Sequence, residues 1–287
     1  DDEFPVSGHS IKSKLFSVPD CQRIIKKAVS VRLGEKYGLE RLPETGKRYR
    51  IEFFLFKDKV SMMIDLSGTP LHKRGYRPET VEAPIRETLA AAMVKISRPR
   101  EDVLLWDPFC GSGTIAIEAA MQMRNIAPGI NRSFSAEEYP IFPIESWKTA
   151  REKAKAAIKT DSKFEAYATD IDPKCVEIAS AAAKRAGVDD MLNIFTMDAL
   201  DIDTLGRRGT IVTNPPYGDR LLTVDEANDL YRAMGQAFSR LDRWQIYVIT
   251  QSEEFPKLYG RRADKIRKLY NGMIPCYYYQ FFKQQNK

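Results

Sequence analysis

Histidine is almost missing from this chain: His9 and His72 are the only two in 287 residues. That argues against a histidine-based catalytic triad and against a histidine-built metal centre. Cysteine is nearly as scarce. Cys21, Cys110, Cys175 and Cys276 are widely separated, with no C-x-x-C pair. Neither a zinc site nor a disulfide framework is expected, so no metal is assigned and the cytoplasm is the natural compartment. No stretch approaches the roughly 18 uninterrupted apolar residues of a membrane span, and no signal peptide is visible. A soluble protein with no membrane partner is expected. Internal repeats and low-complexity tracts are also lacking.

Charge is unevenly spread. Residues 1–76 hold 15 Lys/Arg against 10 Asp/Glu, whereas residues 77–287 hold 30 against 29. The excess sits in Lys12, Lys14, Arg23, Lys26, Lys27, Arg32, Lys47, Arg48 and Arg50. A basic segment beside a neutral one suits a substrate carrying phosphates. It also describes an ordinary solvated surface. The stretch Arg261 to Lys268 alternates as a charged, protected edge strand does.

The apolar pattern changes along the chain. Asp20 to Tyr37 carries helical spacing at Ile24, Ile25, Ala28 and Val31, with Asp20 as the expected cap after Pro19. Tyr49–Phe56 and Lys59–Asp65 read as strands joined by Lys57-Asp58. A linker rich in Gly, Pro and charge follows, and from Pro84 helix and strand alternate, the pattern of a mostly parallel sheet covered on both faces. The long stretch from Ile126 to Asp161, with a helix over Ser146–Lys159, reads as a surface insertion. Asp225 to Leu241 reads as a helix and Trp244–Thr250 as a strand. Ile266–Tyr270 and Tyr277–Phe282 read as a closing antiparallel hairpin.

Two motifs carry the chemistry. After the apolar run Thr210-Ile211-Val212-Thr213 comes Asn214-Pro215-Pro216-Tyr217. Consecutive prolines remove two donors and fix φ twice, and the residue before each is held extended. The result is a stiff turn presenting an Asn amide, which accepts hydrogen bonds from an amine, and a Tyr ring, which stacks on a flat base. Upstream, Val103 to Trp106 runs into Asp107-Pro108-Phe109-Cys110-Gly111-Ser112-Gly113-Thr114-Ile115-Ala116. Gly111, Gly113 and Ala116 match the spacing of a nucleotide-binding first turn, shared by many α/β proteins. Asp107 sharpens that reading. A carboxylate there repels a pyrophosphate and suits a cationic ligand, pointing to S-adenosylmethionine and away from NAD. Two further strands end in acids: Asp170 is suited to ribose hydroxyls and Asp198 to an adenine amine. Asp172 ahead of Pro173 reads as a helix N-cap, and Cys110 as a small packing residue.

With these motifs in hand, the chain resembles the Rossmann-fold methyltransferases that act on amino nitrogens. Asp65 to Arg77, Ala83 to Ala92 and Ile126 to Phe134 narrow the likeness to the bacterial THUMP-domain RNA methyltransferases, which modify guanine N2 mainly in large-subunit ribosomal RNA. The resemblance implies a Rossmann-like α/β domain over residues 84–287, a linker over 67–83, and a partial α+β THUMP domain over 1–66. It is partial because relatives carry a longer N-terminal region, whereas this sequence opens at Asp1-Asp2-Glu3-Phe4 without Met. The cofactor implied is S-adenosyl-L-methionine, bound by Asp107, Phe109, Gly111, Gly113, Thr114, Asp170, Ile171, Asp198 and Ala199. Asn214, Pro215 and Tyr217 are the implied catalytic residues, and the partner is RNA. Arg74, Tyr76 and Arg77 are expected to border either the RNA or the cofactor. Alternatives are a transfer-RNA guanine-N2 methyltransferase, a DNA adenine-N6 methyltransferase, and a non-catalytic RNA-binding protein on the same scaffold. A DNA enzyme would normally add a target-recognition domain, for which the sequence leaves no room.

Overall fold

A computed structural model describes residues 1–77, 85–217 and 222–282. In chain order the first elements are β1 (Val6–Ile11), α1 (Val18–Tyr37), β2 (Ile51–Phe56) and β3 (Lys59–Ile64). Next come α2 (Glu87–Ser97), β4 (Leu104–Asp107), α3 (Thr114–Met123), α4 (Ile144–Ala156), β5 (Ala166–Asp170), α5 (Pro173–Ala186) and β6 (Leu192–Thr196). The last are β7 (Gly209–Thr213), α6 (Val224–Phe238), β8 (Gln245–Thr250), α7 (Phe255–Leu258), β9 (Lys265–Asn271) and β10 (Ile274–Phe281). Two compact units result: residues 1–70 with 133–150, and residues 71–132 with 151–287. Residues 78–83 of the expected linker, Pro84 at the expected start of the next domain, and Gly218 lie outside the described residues.

The first unit is built on a three-stranded sheet, β1-β2-β3, with β1 parallel and β3 antiparallel to β2. Strand β1 escapes sequence reading because Ser7, Gly8, His9 and Ser10 are weak strand formers. Gly8 is required at its place: a Cβ there would stand 2.3 Å from the Phe53 carbonyl oxygen. Helix α1 is capped by Ser17, whose side chain accepts from the Asp20 amide at 3.4 Å. Asp20, expected as the cap, instead sits in the first turn and pairs with Arg23. Lys57 and Asp58 both take positive φ (49° and 61°), the geometry of a two-residue hairpin turn matched to strand twist.

Residues 133–150 belong to this first unit. Tyr139 stacks on Tyr49 with ring centroids 4.3 Å apart. Its hydroxyl donates to the carbonyls of Arg48 (3.2 Å) and Asp65 (3.1 Å). The Ala136 amide donates to Leu66 at 3.1 Å, and Phe134 stacks on Trp147. The stretch that reads in sequence as an insertion after the glycine turn therefore supplies packing for the N-terminal sheet.

The second unit is a seven-stranded sheet in the order β6-β5-β4-β7-β8-β10-β9. The pairs from β6 through to β8 are parallel, and β10 runs antiparallel to both neighbours. Alternation along β4 sends Leu105 into one apolar layer and Trp106 into the other. The first layer holds Ala90, Met93, Ile117 and Ala183 from α2, α3 and α5; the second holds Tyr231, Met234 and Phe238 from α6. Every residue of β7 is buried, as in a central strand covered on both faces. Strand order reverses between β4 and β7. In open α/β sheets ligands bind at the carboxyl ends of strands beside such a reversal.

Candidate active site at the strand-order reversal

Strand β4 ends on Asp107, which is only 1 % exposed. One of its oxygens, Oδ1, accepts from the Thr213 hydroxyl at 2.7 Å and from the Phe109 amide at 3.3 Å. Burial pushes its pKa from 3.8 to about 7; the two hydrogen bonds work the other way, and the nearby Asp170 charge adds to the rise. Burial thus favours its neutral form, and a cation beside it would favour the ionised one.

The two glycines of the following turn have different tasks. Gly111 (φ 52°) faces open space, since a Cβ there would meet nothing within 4 Å. Gly113 (φ 75°) is the N-cap of α3, and a Cβ on it would come within 3.0 Å of Ala179 Cβ on α5. Gly111 leaves room for a ligand, while Gly113 allows two helices to close up. Asp170, at the end of β5, fixes the turn. Its Oδ2 accepts from the Gly111 amide at 2.9 Å and its Oδ1 from the Asp172 amide at 3.1 Å. Asp172 caps α5, as its place before Pro173 implies.

The other expected cofactor residues are distributed around this turn. Phe109 is half-buried and packs on the layer containing Trp106. Thr114 is buried, its hydroxyl shared with Ser112 Oγ (3.0 Å) and with the Arg77 guanidinium (3.4 Å). Ile171 is 69 % exposed just beyond Asp170. Asp198 follows β6, two strands from β4, and accepts from the Leu200 amide at 2.9 Å to cap a short 3-10 turn that begins at buried Ala199. A buried carboxylate, an open glycine and exposed apolar surface at Ile171 together fit a ligand with a cationic end and a flat aromatic end.

The second motif lies on the neighbouring strand. Trp106 of β4 pairs with Ile211 of β7, so the carboxyl ends of the two strands are adjacent. Asn214 is half-buried, Pro215 is buried and Tyr217 is half-buried. Tyr217 packs against the apolar layer that contains Trp106 and Tyr231, and burial raises the pKa of its phenol. Thr213 bridges the two motifs through its bond to Asp107.

Several participants are not visible in the sequence. Thr213 reads as one more residue of an apolar strand, and only its adjacency to Asp107 gives it a task. Glu118, on α3, likewise carries no local mark of its place beside Arg74 and Tyr76. Arg74 and Tyr76, expected at the RNA or cofactor, both bond Glu118: the Arg74 guanidinium donates to its two oxygens at 2.9 and 3.2 Å, and the Tyr76 hydroxyl donates at 3.0 Å. Arg77 pairs with Glu87 at 3.2 Å. Desolvation raises the Glu118 pKa, and the Arg74 and Tyr76 hydrogen bonds oppose that rise. Among the described residues no group of three His, Cys, Asp or Glu is placed to hold a metal, and no helix is long and apolar enough to cross a membrane.

Known proteins resemble this chain in sequence and in fold. Residues 74–280 match the RMKL-like methyltransferase domain, and residues 1–65 match the THUMP domain. A Bacillus subtilis protein named as a candidate RNA methyltransferase, YpsC, is 45 % identical over 284 residues, covering 98 % of this chain and 74 % of that protein. The ribosomal RNA large subunit methyltransferase K/L of Vibrio parahaemolyticus is 38 % identical over 255 residues, 85 % of this chain but only 36 % of that protein. Among solved structures, SMU.472, a candidate methyltransferase in complex with SAH, superposes with a TM-score of 0.90 at 40 % identity, over 100 % of this chain and 76 % of that one. A Listeria monocytogenes protein described as a predicted N6-adenine-specific DNA methylase superposes with a TM-score of 0.90 at 43 % identity, over 99 % and 74 %. A match that takes in both strand ends, the glycine turn and the closing hairpin leaves one assignment: the chain belongs to the RMKL-like methyltransferase family and carries a THUMP domain ahead of its methyltransferase domain.

Proposed function

We propose that this chain transfers a methyl group from S-adenosylmethionine to the exocyclic N2 amine of guanine in RNA, with large-subunit ribosomal RNA as the substrate. The observation that carries the reading is the adjacency of two strand ends, one bearing buried Asp107 and the other Asn214-Pro215-Pro216-Tyr217, joined by the Thr213 hydroxyl. The cofactor, when bound, supplies an electrophilic methyl carbon on a sulfonium. Asp107 and the open side of Gly111 accommodate its cationic amino-acid end, and Asp170 accepts from its ribose. Asn214 and the Pro215 carbonyl accept from the target amine and aim its lone pair. Tyr217 stacks on a base turned out of its helix. Attack of nitrogen on a methyl carbon needs little covalent help, so positioning and exclusion of water supply most of the rate.

Ribosomal RNA is favoured because relatives at 38 % identity are named for it and because a THUMP domain and a basic excess occupy the N-terminal unit. The K/L enzymes extend far beyond the region matched here, and their full activity is not transferred. Adenine N6 of DNA is the second reading, since the Listeria protein is described that way and the tetrapeptide serves either amine.

The test is transfer of labelled methyl to ribosomal RNA fragments and to duplex DNA, followed by mass spectrometry of the nucleosides. N2-methylguanosine is the expected product. Faster labelling of adenine in duplex DNA would overturn the assignment. Asn214→Ala is expected to lower turnover severely with cofactor affinity nearly unchanged, because its contacts belong to the reacting geometry. Wild-type turnover in a folded Asn214→Ala variant would remove that residue from the reaction.

A further inference from the structure

Residues 77–287 are close to neutral in total, yet residues 261–271 hold five Lys/Arg against one Asp. Arg261 pairs with that Asp264 at 3.2 Å. Arg262, Lys265, Arg267 and Lys268 are exposed and have no acidic partner within 4 Å among the described residues. Charge along an outer strand protects its edge wherever it falls. At the hairpin end, however, the charge stands beside aromatic rings and on the side of the sheet that carries the tetrapeptide.

Strand register fixes that placement. Thr213 of β7 pairs with Val248 of β8, so Asn214 and its successors run on beside the last residues of β8. Thr250 pairs with Tyr277 of β10, and beyond it Pro275 and Ile274 pair with Tyr270 and Asn271 of β9. The hairpin turn, with Met273 90 % exposed, therefore stands at the carboxyl end of β7. Strand β9 is three strands away from β7, about 14 Å at the usual interstrand spacing. Partners across an antiparallel pair share a face, so Lys268 and Tyr270 lie with Tyr277 and Pro275. Tyr217 packs on the same face, in the apolar layer that includes Tyr277 and Tyr279. Lys268 Nζ stands 5.8 Å from the centre of the Tyr277 ring, and Tyr270 is 57 % exposed. Arg86 adds a cation at the turn. Its amide donates to Asn271 Oδ1 at 3.4 Å, and its guanidinium lies 3.1 Å from where a Gly272 Cβ would stand. Glu253, an acid at this end, accepts from the Tyr277 hydroxyl.

We infer that the β9–β10 hairpin end is an RNA-docking strip of the methyltransferase domain: Arg86 and Lys268 meet phosphates of the single strand flanking the target nucleotide, and Tyr270 stacks on one of its unpaired bases. The inference rests on the proposed RNA substrate and deepens it, giving the domain that holds the tetrapeptide its own grip on the strand. Cations beside an exposed ring suit a single strand, whose base faces are free to stack. A duplex hides those faces and offers Tyr270 nothing. Turning the target base out toward Asn214 also leaves its neighbours open to such a contact. Arg262, Lys265 and Arg267, along the rest of the outer strand, are then the edge protection.

The experiment is fluorescence anisotropy of a labelled single-stranded ribosomal RNA fragment with the full chain, between 50 and 300 mM salt. Arg86→Gln combined with Lys268→Gln should make the log–log salt slope shallower by roughly 1.4, at roughly 0.7 per phosphate. The control, Lys159→Gln combined with Lys163→Gln, removes two exposed lysines ahead of β5, at the opposite end of the sheet, and should leave the slope as in wild type. Tyr270→Ala should weaken binding at least about fivefold, the scale of one lost base stack, and Tyr270→Phe should restore it. All these positions are exposed, so folding is not threatened. In methyl transfer the charge variant should raise KM and spare kcat, and affinity for S-adenosylhomocysteine should not move in any variant. An unchanged slope in the hairpin variant, or an equal change in the control, would overturn the strip and leave the whole hairpin as edge protection. A Tyr270→Phe variant as weak as Tyr270→Ala would overturn the stack. RNA held through the hairpin while guanine N2 is never methylated would support the strip and overturn the guanine reading. Duplex DNA bound through the hairpin more tightly than the RNA would overturn both.

Discussion

Asp107 ends β4 as a carboxyl group whose pKa burial pushes up to about 7, and its protonation state follows directly from its surroundings. In the unfolded chain it would titrate near 3.9. The folded chain therefore binds the extra proton between pH 4 and 7. The stabilisation linked to that proton is fully present below about pH 4, and it is lost as pH rises through about 7. Free-chain stability should fall across that window by at most about 1.4 kcal/mol per pH unit from this group. A cationic ligand reverses the preference, because it favours the ionised carboxylate. Affinity for S-adenosylmethionine should rise with pH up to about 7 and then level off, with a proton released on binding below that point. Calorimetry in buffers of different ionisation enthalpy measures that proton. In Asp107→Asn the proton release should vanish, and affinity should be lower with no pH dependence between 5.5 and 8. A pH-dependent affinity surviving in that variant would place the titrating group elsewhere.

The glycine turn shows at the scale of elements how a spacing pattern becomes geometry. Gly113 has φ in the left-handed region and faces Ala179 across the α3–α5 contact. Gly113→Ala should cost about 1–2 kcal/mol for the backbone alone, with a further loss from the 3.0 Å approach to the Ala179 methyl. Thermal melting should show a fall of several degrees, and a melting point unchanged from wild type would mean the turn relaxes without strain. This contact was legible only in part. The spacing of Gly111, Gly113 and Ala116 identified the turn, because close backbone approach demands glycine at fixed offsets. The partner Ala179 lies on α5, beyond α3, α4 and β5, where an alanine-rich helix gives no reason to choose one alanine over another. The same limit hid Thr213, whose task arises from the register between β4 and β7, strands far apart in sequence. Alternation and charge made β7 to β10 readable as elements, while β1 was missed because its serines and glycine pack through pairing with β2 and carry little propensity of their own.

Charge acts at the scale of the whole molecule, and the structure narrows which part of the basic excess is available. Of the nine basic residues that stand out in the N-terminal segment, Arg23, Lys26, Arg32, Arg48 and Arg50 each have an acidic partner within 4 Å. Lys12, Lys14, Lys27 and Lys47 have none among the described residues, and all four are exposed. Exposed pairs are worth little and can exchange partners. Unpaired lysines require no such exchange before meeting a phosphate. The residues that could not be placed by charge counting thus separate by pairing, which sequence alone does not reveal. If RNA lies along this unit, binding should weaken steeply with salt, with a log–log slope of roughly −0.7 for each phosphate neutralised on a single strand. Changing Lys12, Lys14 and Lys27 together to Gln should make that slope shallower by roughly 2, while S-adenosylhomocysteine affinity stays as in wild type. Filter binding of a ribosomal RNA fragment between 50 and 300 mM salt measures the slope. An unchanged slope in the triple variant would mean the phosphates are met elsewhere, and the basic excess of residues 1–76 would then be solvated surface.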